Sequence, residues 1–474
     1  MGEGVAGFVG RRRELAALDG LIAEVRDGLG TARPGRCVII RGRRRIGKSA
    51  LVEEFIDQNR APAVFYTAEI GFGGDLLAEF TEVVRLSSLP DADVFAEAIP
   101  GNWTAALRQL AGILPDDRPS VVVLDEVPYL MDPAGSFESV LQRSWDRELS
   151  RKPVLLILVG SDLSMMDTLT SYGRPFHQRG TQLLVGPLSP ADVAAMTGLD
   201  AADAFDAALV TGGLPVICSC WKPGESMRSF MSRELASPVS PIVVSAQLSL
   251  AAEFPDQAQA RAVLSAIGSG ERTFTNIARA AGGISHSTLS RAADLLISKG
   301  VVAGELPVSL TPSKERRYRI TDSYLRFWLT FLGPHLAELD RMRPDLTLSR
   351  IWHGWTSWRG RAIEPLVREG LAHLLPARGL PAAAVVGGYW TRSNDVEIDI
   401  VGADREPVAR ELLFLGSVKW LENAAFDDHD LVALQHHRDR VCQGPIPLIA
   451  VARSGAATNR ADAVFTPEDL IGAW

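Results

Sequence analysis

Eight residues, Gly42-Arg43-Arg44-Arg45-Ile46-Gly47-Lys48-Ser49, carry the most specific chemistry in the chain. They match the pattern Gly-x-x-x-x-Gly-Lys-Ser, lying between the apolar run Cys37–Ile40 and the segment from Ala50 to Ile56, where a strand would turn into a helix. In that setting successive backbone N–H groups, from Gly42 through Ala50, wrap phosphate oxygens at the positive end of the helix. Lys48 is expected to reach the β and γ phosphates of ATP, and the Ser49 hydroxyl to ligate Mg²⁺. Arg43, Arg44 and Arg45 are expected to face outward as a basic rim, or to pair with acidic neighbours, because the loop offers its backbone to the phosphates. A second site element is Ser120-Val-Val-Val-Leu-Asp125-Glu126, a buried-strand run ending in two carboxylates. Asp125 is assigned to the metal and Glu126 to the attacking water. A third run, Val154–Gly160, ends at Ser161, which reads either as a sensor of the γ phosphate or as an ordinary strand-end turn residue.

These residues need a scaffold, and 474 residues exceed what one hydrophobic core usually organises. Strand runs alternating with helical segments to about residue 180 imply a parallel sheet with helices on both faces. The formal net charge of −8 excludes a surface that coats nucleic acid along its whole length, so any such contact must be local. No apolar stretch is long enough to cross a bilayer, and the first ten residues lack the layout of a secretory signal; the expectation is a cytoplasmic protein without membrane contact. Four cysteines (Cys37, Cys218, Cys220, Cys442) cannot form a disulfide framework, nor do they have zinc-site spacing.

Beyond residue 250 the pattern changes to short helices at 262–267, 274–280 and 287–296, followed by strand runs at 301–302 and 317–320. Residues 261–330 hold 10 Lys and Arg against 5 Asp and Glu, so positive charge gathers here. The helices and wing read as a winged helix-turn-helix that contacts DNA. Ser285, His286, Ser287, Ser290 and Arg291 would stand at the front of the recognition helix, and Lys314, Arg316, Arg317 and Arg319 would meet phosphates from the wing. The same module can instead dock a protein or act as a lid.

In order, Phe8-Val-Gly10-Arg11-Arg-Arg-Glu-Leu15, GRRRIGKS, VVVLDEV, LVGS and Thr211-Gly-Gly-Leu-Pro215 resemble the archaeal-type ATPases of the AAA+ and STAND-like group. The resemblance implies that the arginine-rich loop is a lineage feature, that Gly10 and Arg11 lie near the adenine, and that the Gly-Gly-Leu-Pro turn belongs to a helical lid. It places Arg174 where relatives carry a Gly-Arg segment that approaches the γ phosphate; Arg179 is an equal candidate, and the alternative is that either one pairs with acids on the surface. Ile320-Thr-Asp-Ser-Tyr-Leu-Arg-Phe-Trp328 is similar to a landmark of the same family, and its apolar residues read as core.

The C-terminal part resembles the restriction-endonuclease-like domain often fused to such ATPases. That resemblance implies a metal-binding cluster of Glu364 and Asp399, with Lys419 positioning water. Ser417 stands where active members carry a metal-binding Glu, and Glu397, on the same strand face as Asp399, is the candidate replacement. A weak or inactive nuclease is the expectation.

The expected architecture is therefore multidomain α/β: a P-loop ATPase core over 7–187, a helical lid over 188–245, a winged helix over 250–335 and a nuclease-like α/β domain over 345–474. The expected function is binding and slow hydrolysis of ATP with Mg²⁺, coupled to DNA through the winged helix. The alternative is a signalling or defence switch in which ATP holds an inactive state and the C-terminal modules bind protein; a protein partner or a homo-oligomer is the corresponding partner expectation.

Overall fold

A computed structural model describes residues 8–69, 75–131, 136–174, 176–254 and 257–474. The opening residues read for a signal, the first position of the expected ATPase core, and Pro175 of the Arg174 segment lie outside that set. The chain divides into two compact units, 1–187 and 188–474, so residues 188–245 belong with the C-terminal residues.

The first unit is built on five parallel strands: β1 (Arg36–Arg41), β2 (Ala63–Thr67), β3 (Ser120–Asp125), β4 (Val154–Gly160) and β5 (Thr181–Leu184), in the order β2-β3-β4-β1-β5. The central strands β3 and β4 are continuous apolar runs buried at every residue, as a sheet covered on both faces requires. β5, with Thr181, Gln182 and Leu184 exposed, forms one edge. On one face Phe80 packs edge-on against Tyr66 at 5.3 Å, and Trp103 against Phe137 at 4.9 Å. Register brings the carboxyl ends together: Arg41 pairs with Gly160, and Thr67 with Asp125. Residues following β1, β3 and β4 therefore emerge along one edge, where open α/β sheets bind ligands.

The second unit begins with helices at Pro190–Thr197, Ala201–Thr211, Met227–Leu235 and Pro241–Glu253. Gly212 and Gly213 both take left-handed angles (φ 61° and 62°) after the second of these. A Cβ on Gly213 would stand 2.2 Å from the Leu188 carbonyl oxygen, so this turn admits glycine alone. Three helices follow, Ala258–Gly268, Phe274–Ala280 and His286–Ser298, then an antiparallel pair, β6 (Val302–Glu305) with β7 (Arg317–Ile320). Tyr324, Leu325, Phe327 and Trp328 are buried, and Trp355 and Trp358 stack beside Phe327, so the aromatic density there is packing.

After the helices Pro344–Ala362 and Glu364–Leu374 comes a second sheet, β12-β11-β10-β9-β8. β8 (Val385–Trp390), β9 (Glu397–Ala403) and β10 (Leu412–Lys419) are antiparallel neighbours, while β11 (Leu448–Ala452) and β12 (Ala463–Phe465) run parallel to β10. Phe205 and Leu209, from the helix Ala201–Thr211, enter the core of this sheet beside Trp420 and Leu371. Asp206 on the same helix joins Arg359 (2.6 Å), the Trp420 indole N–H (3.0 Å) and Arg453 (3.2 Å). A helix expected to form a lid is thus fastened to the C-terminal sheet by apolar burial and a shared buried carboxylate. Among the described residues no helix is long and apolar enough to cross a membrane.

Candidate functional site

Gly42 leaves β1 so close to the neighbouring chain that a Cβ would stand 2.4 Å from the Val185 carbonyl oxygen. Gly47 then caps the helix Lys48–Asn59 at φ 84°, turning the preceding backbone over the helix end. Arg45 also takes a left-handed angle, φ 66°. The Lys48 ammonium donates to the Arg43 carbonyl at 3.0 Å, which folds it back across the loop. Burial lowers the Lys48 pKa, opposed by the Glu126 and Asp125 carboxylates and reinforced by Arg44. Ser49 donates to Asp125 at 2.7 Å, bringing the loop hydroxyl and the strand-end carboxylate to one point. This hydroxyl and carboxylate are hard oxygen donors of the kind that suits magnesium, and the loop's curvature suits a polyphosphate.

Glu126 follows Asp125 at φ 51° and accepts from the Ser161 hydroxyl at 2.8 Å. The end of β4 is thereby tied to the carboxylate at the end of β3. Arg44 is exposed, yet it reaches both Ser161 (3.4 Å) and the Tyr129 hydroxyl (2.8 Å). One loop arginine therefore does more than form a rim, and Tyr129 joins a network that no motif announces. Arg11, only 5% exposed, donates to the Ile46 carbonyl at 2.8 Å and pairs with Glu14, bracing the loop from behind. Gly10 and Arg11 are left-handed in succession (φ 80° and 61°). Arg174 pairs with Glu138 and Arg179 with Asp146 at 2.9 Å. Both candidate γ-phosphate arginines are thus engaged by carboxylates of the helix Ser136–Arg147; Glu138, being buried, needs the cation that Arg174 supplies.

In the second unit, His286, Ser287, Ser290 and Arg291 are exposed at the front of their helix, as are Lys314 and Arg316 in the connection between β6 and β7. Arg317 and Arg319 require correction. Arg317 is 8% exposed and bonds Glu397 at 2.6 Å and Asn394, while Arg319 pairs with Glu305. On alternate positions of an antiparallel pair, these side chains point onto one face of the hairpin, where the carboxylates are.

That same ion pair changes the role expected of Glu397. Burial pushes its pKa up, but Arg317 and Arg272 outweigh this and leave it lowered, a carboxylate already neutralised by protein cations. Glu364 pairs with Arg368 at 2.9 Å, and burial pushes its pKa up to about 7. Asp399 accepts from the Ser417 hydroxyl (3.1 Å) and the Val418 N–H (2.8 Å), and burial raises its pKa. Lys419 turns to Asp430 at 2.6 Å. Every member of the nuclease-like constellation is thus engaged internally. Among the described residues no group of three His, Cys, Asp or Glu stands arranged to hold a metal. Arg368 was legible as the residue one helical turn from Glu364; Arg272 and Asp430 were not, since nothing local marks them.

The parallel five-stranded sheet with its phosphate loop and strand-end carboxylates is the fold of a P-loop ATPase. The chain resembles the Walker-type ATPase of Pyrococcus abyssi, with TM-score 0.50, 17% identity, and coverage of 68% of this chain and 96% of that one. It also matches the ORC2 protein of Aeropyrum pernix at TM-score 0.44 and 12% identity, over 72% of this chain and 96% of that one. An uncharacterized protein of Methanocaldococcus jannaschii is 24% identical over 426 residues, 87% of each chain. Residues 328–439 match a family of archaeal and bacterial proteins of unknown function.

Proposed function

We propose that the chain binds ATP with Mg²⁺ in the first unit, hydrolyses it slowly, and uses the second unit to hold DNA without cutting it. The observation that carries the nucleotide reading is the Ser49–Asp125 contact beside Lys48, because it unites the loop with the second acidic strand at 2.7 Å. Magnesium, when bound, would offset phosphate charge. Lys48 would hold phosphate oxygens, and Ser49 and Asp125 would be the metal's protein ligands. Glu126 would accept hydrogen bonding from water, with Ser161 and Arg44 setting its orientation. Expected turnover is slow because Glu126 is already held by Ser161.

DNA contact in this reading falls to the helix front at Ser285–Arg291 and to Lys314 and Arg316, which are exposed where Arg317 and Arg319 are not. Holding without cutting follows from carboxylates that face arginines instead of an open metal site. The protein-binding alternative gains from the same two internal ion pairs, which reduce the free charge of the wing.

The test combines two assays. Glu126→Gln should retain ATP binding and lose at least about 100-fold in phosphate release, as loss of a water-orienting group does. Fluorescent duplex DNA titrated across a salt series should show affinity falling steeply with salt. Unchanged turnover in Glu126→Gln would remove the catalytic assignment, and no DNA affinity at low salt would favour the protein-binding reading.

A further inference from the structure

A cavity within the second unit is lined by six arginines, Arg272, Arg317, Arg319, Arg326, Arg361 and Arg368, and by four acids, Glu305, Glu364, Glu397 and Asp399. Four of the arginines are spoken for: Arg272 and Arg317 by Glu397, Arg319 by Glu305, Arg368 by Glu364. Arg326 and Arg361 have no carboxylate within ion-pair distance among the described residues. The Arg326 guanidinium donates to the Arg361 carbonyl at 3.2 Å and lies 5.9 Å from the Trp358 ring centre. It opens partly onto the cavity, yet sits deep enough that burial lowers its pKa to about 10. The acid that acts on it, Glu364, is already paired with Arg368; a sequestered cation without an ion-pair partner of its own is costly, and is retained where an anion completes the site.

The charge balance selects the anion. Six cations against four acids leave the lining at +2 with all groups ionised, and more positive still where Glu364, with its pKa at about 7, holds its proton; Arg326 and Arg361 are the two cations without a carboxylate of their own. A monoanion would leave one guanidinium uncompensated. A phosphate monoester dianion neutralises both and supplies enough oxygens for two planar guanidinium forks. We infer that this cavity binds a terminal phosphate group, held chiefly by Arg326 and Arg361. The group would come from a small phosphorylated molecule or from the phosphorylated end of a nucleic-acid strand. The site lies wholly in residues 272–399 and is separate from the phosphate loop.

The experiment uses the full chain carrying Lys48→Ala, so that phosphate binding at the loop does not mask the cavity. Inorganic phosphate is titrated by calorimetry at low salt, with Arg326→Met, Arg361→Ala and, as a control on the surface, Arg405→Ala added in turn. One phosphate per chain is expected, weakened at least about tenfold by Arg326→Met and by Arg361→Ala and unchanged by Arg405→Ala. Without phosphate, Arg326→Met should melt at or above the temperature of its parent, since a desolvated guanidinium with no ion-pair partner of its own has been removed. The exposed Arg361 provides a second variant whose folding is not at issue. Absence of phosphate binding in the Lys48→Ala chain, or equal binding after both arginine changes, would overturn the assignment. A short single-stranded oligonucleotide with a 5′-phosphate, compared with its 5′-hydroxyl form, then separates the sources. Preference for the phosphorylated end identifies a strand terminus, and equal binding identifies a small phosphorylated molecule.

Discussion

Glu364 is a largely buried carboxyl whose charge changes near neutral pH. Burial raises its pKa from 4.5 to about 7; Arg368 and Arg326 oppose the shift and Asp399 and Glu397 add to it. A carboxyl with a raised native pKa binds a proton more tightly folded than unfolded. Its contribution therefore favours the fold fully below about pH 4.5 and is lost as pH rises through about 7. Glu364→Gln should raise the melting temperature at pH 8, with the difference from the parent shrinking below pH 5. The measurement is a thermal melt across pH, and an equal difference at every pH would show that the Glu364 charge carries no penalty.

At the hairpin, two adjacent arginines separate structure from binding. Arg317→Ala would strip Glu397 of its shortest ion pair and Trp390 of a cation 4.6 Å from its ring, so a loss of roughly 1–3 kcal/mol is expected in a denaturant melt. Arg316→Ala should leave stability unchanged within about 0.5 kcal/mol while flattening the salt dependence of DNA affinity. Reversal of these two outcomes would return Arg317 to the DNA surface. The contrast also shows what could be read in the chain beforehand. The phosphate loop and the acidic strand end were legible because each is a contiguous motif fixed to a strand terminus, as were the runs that became β1, β3 and β4. The basic count over 261–330 was legible too, but not its use: Arg317 meets Glu397, 80 positions away, and Lys419 meets Asp430, 11 away. Periodicity marks which face a residue occupies and leaves its partner across the fold undetermined. The attachment of the helix Ala201–Thr211 to the C-terminal sheet was hidden for the same reason, since Asp206 gives no local sign of Arg359, 153 positions on.

Across the whole molecule, the acid at the end of β3 meets a hydroxyl, whereas Glu364 and Glu397 in the second unit meet arginines. Ser49 and Asp125 converge beside a phosphate-binding loop, whereas Glu364, Glu397 and Lys419 each have an internal ion-pair partner. The full chain incubated with supercoiled DNA, magnesium or manganese, and ATP should accordingly leave the plasmid intact on a gel. Nicking that Asp399→Ala abolishes would show that the internal pairs open to admit a metal. The nucleotide site is tested by calorimetric titration of the parent and of Lys48→Ala with ATP and magnesium. The parent should bind one ATP per chain and Lys48→Ala none measurable, a difference of at least about 100-fold for removal of a buried cation from a phosphate site. Equal affinity in the two proteins would contradict the assignment of the loop.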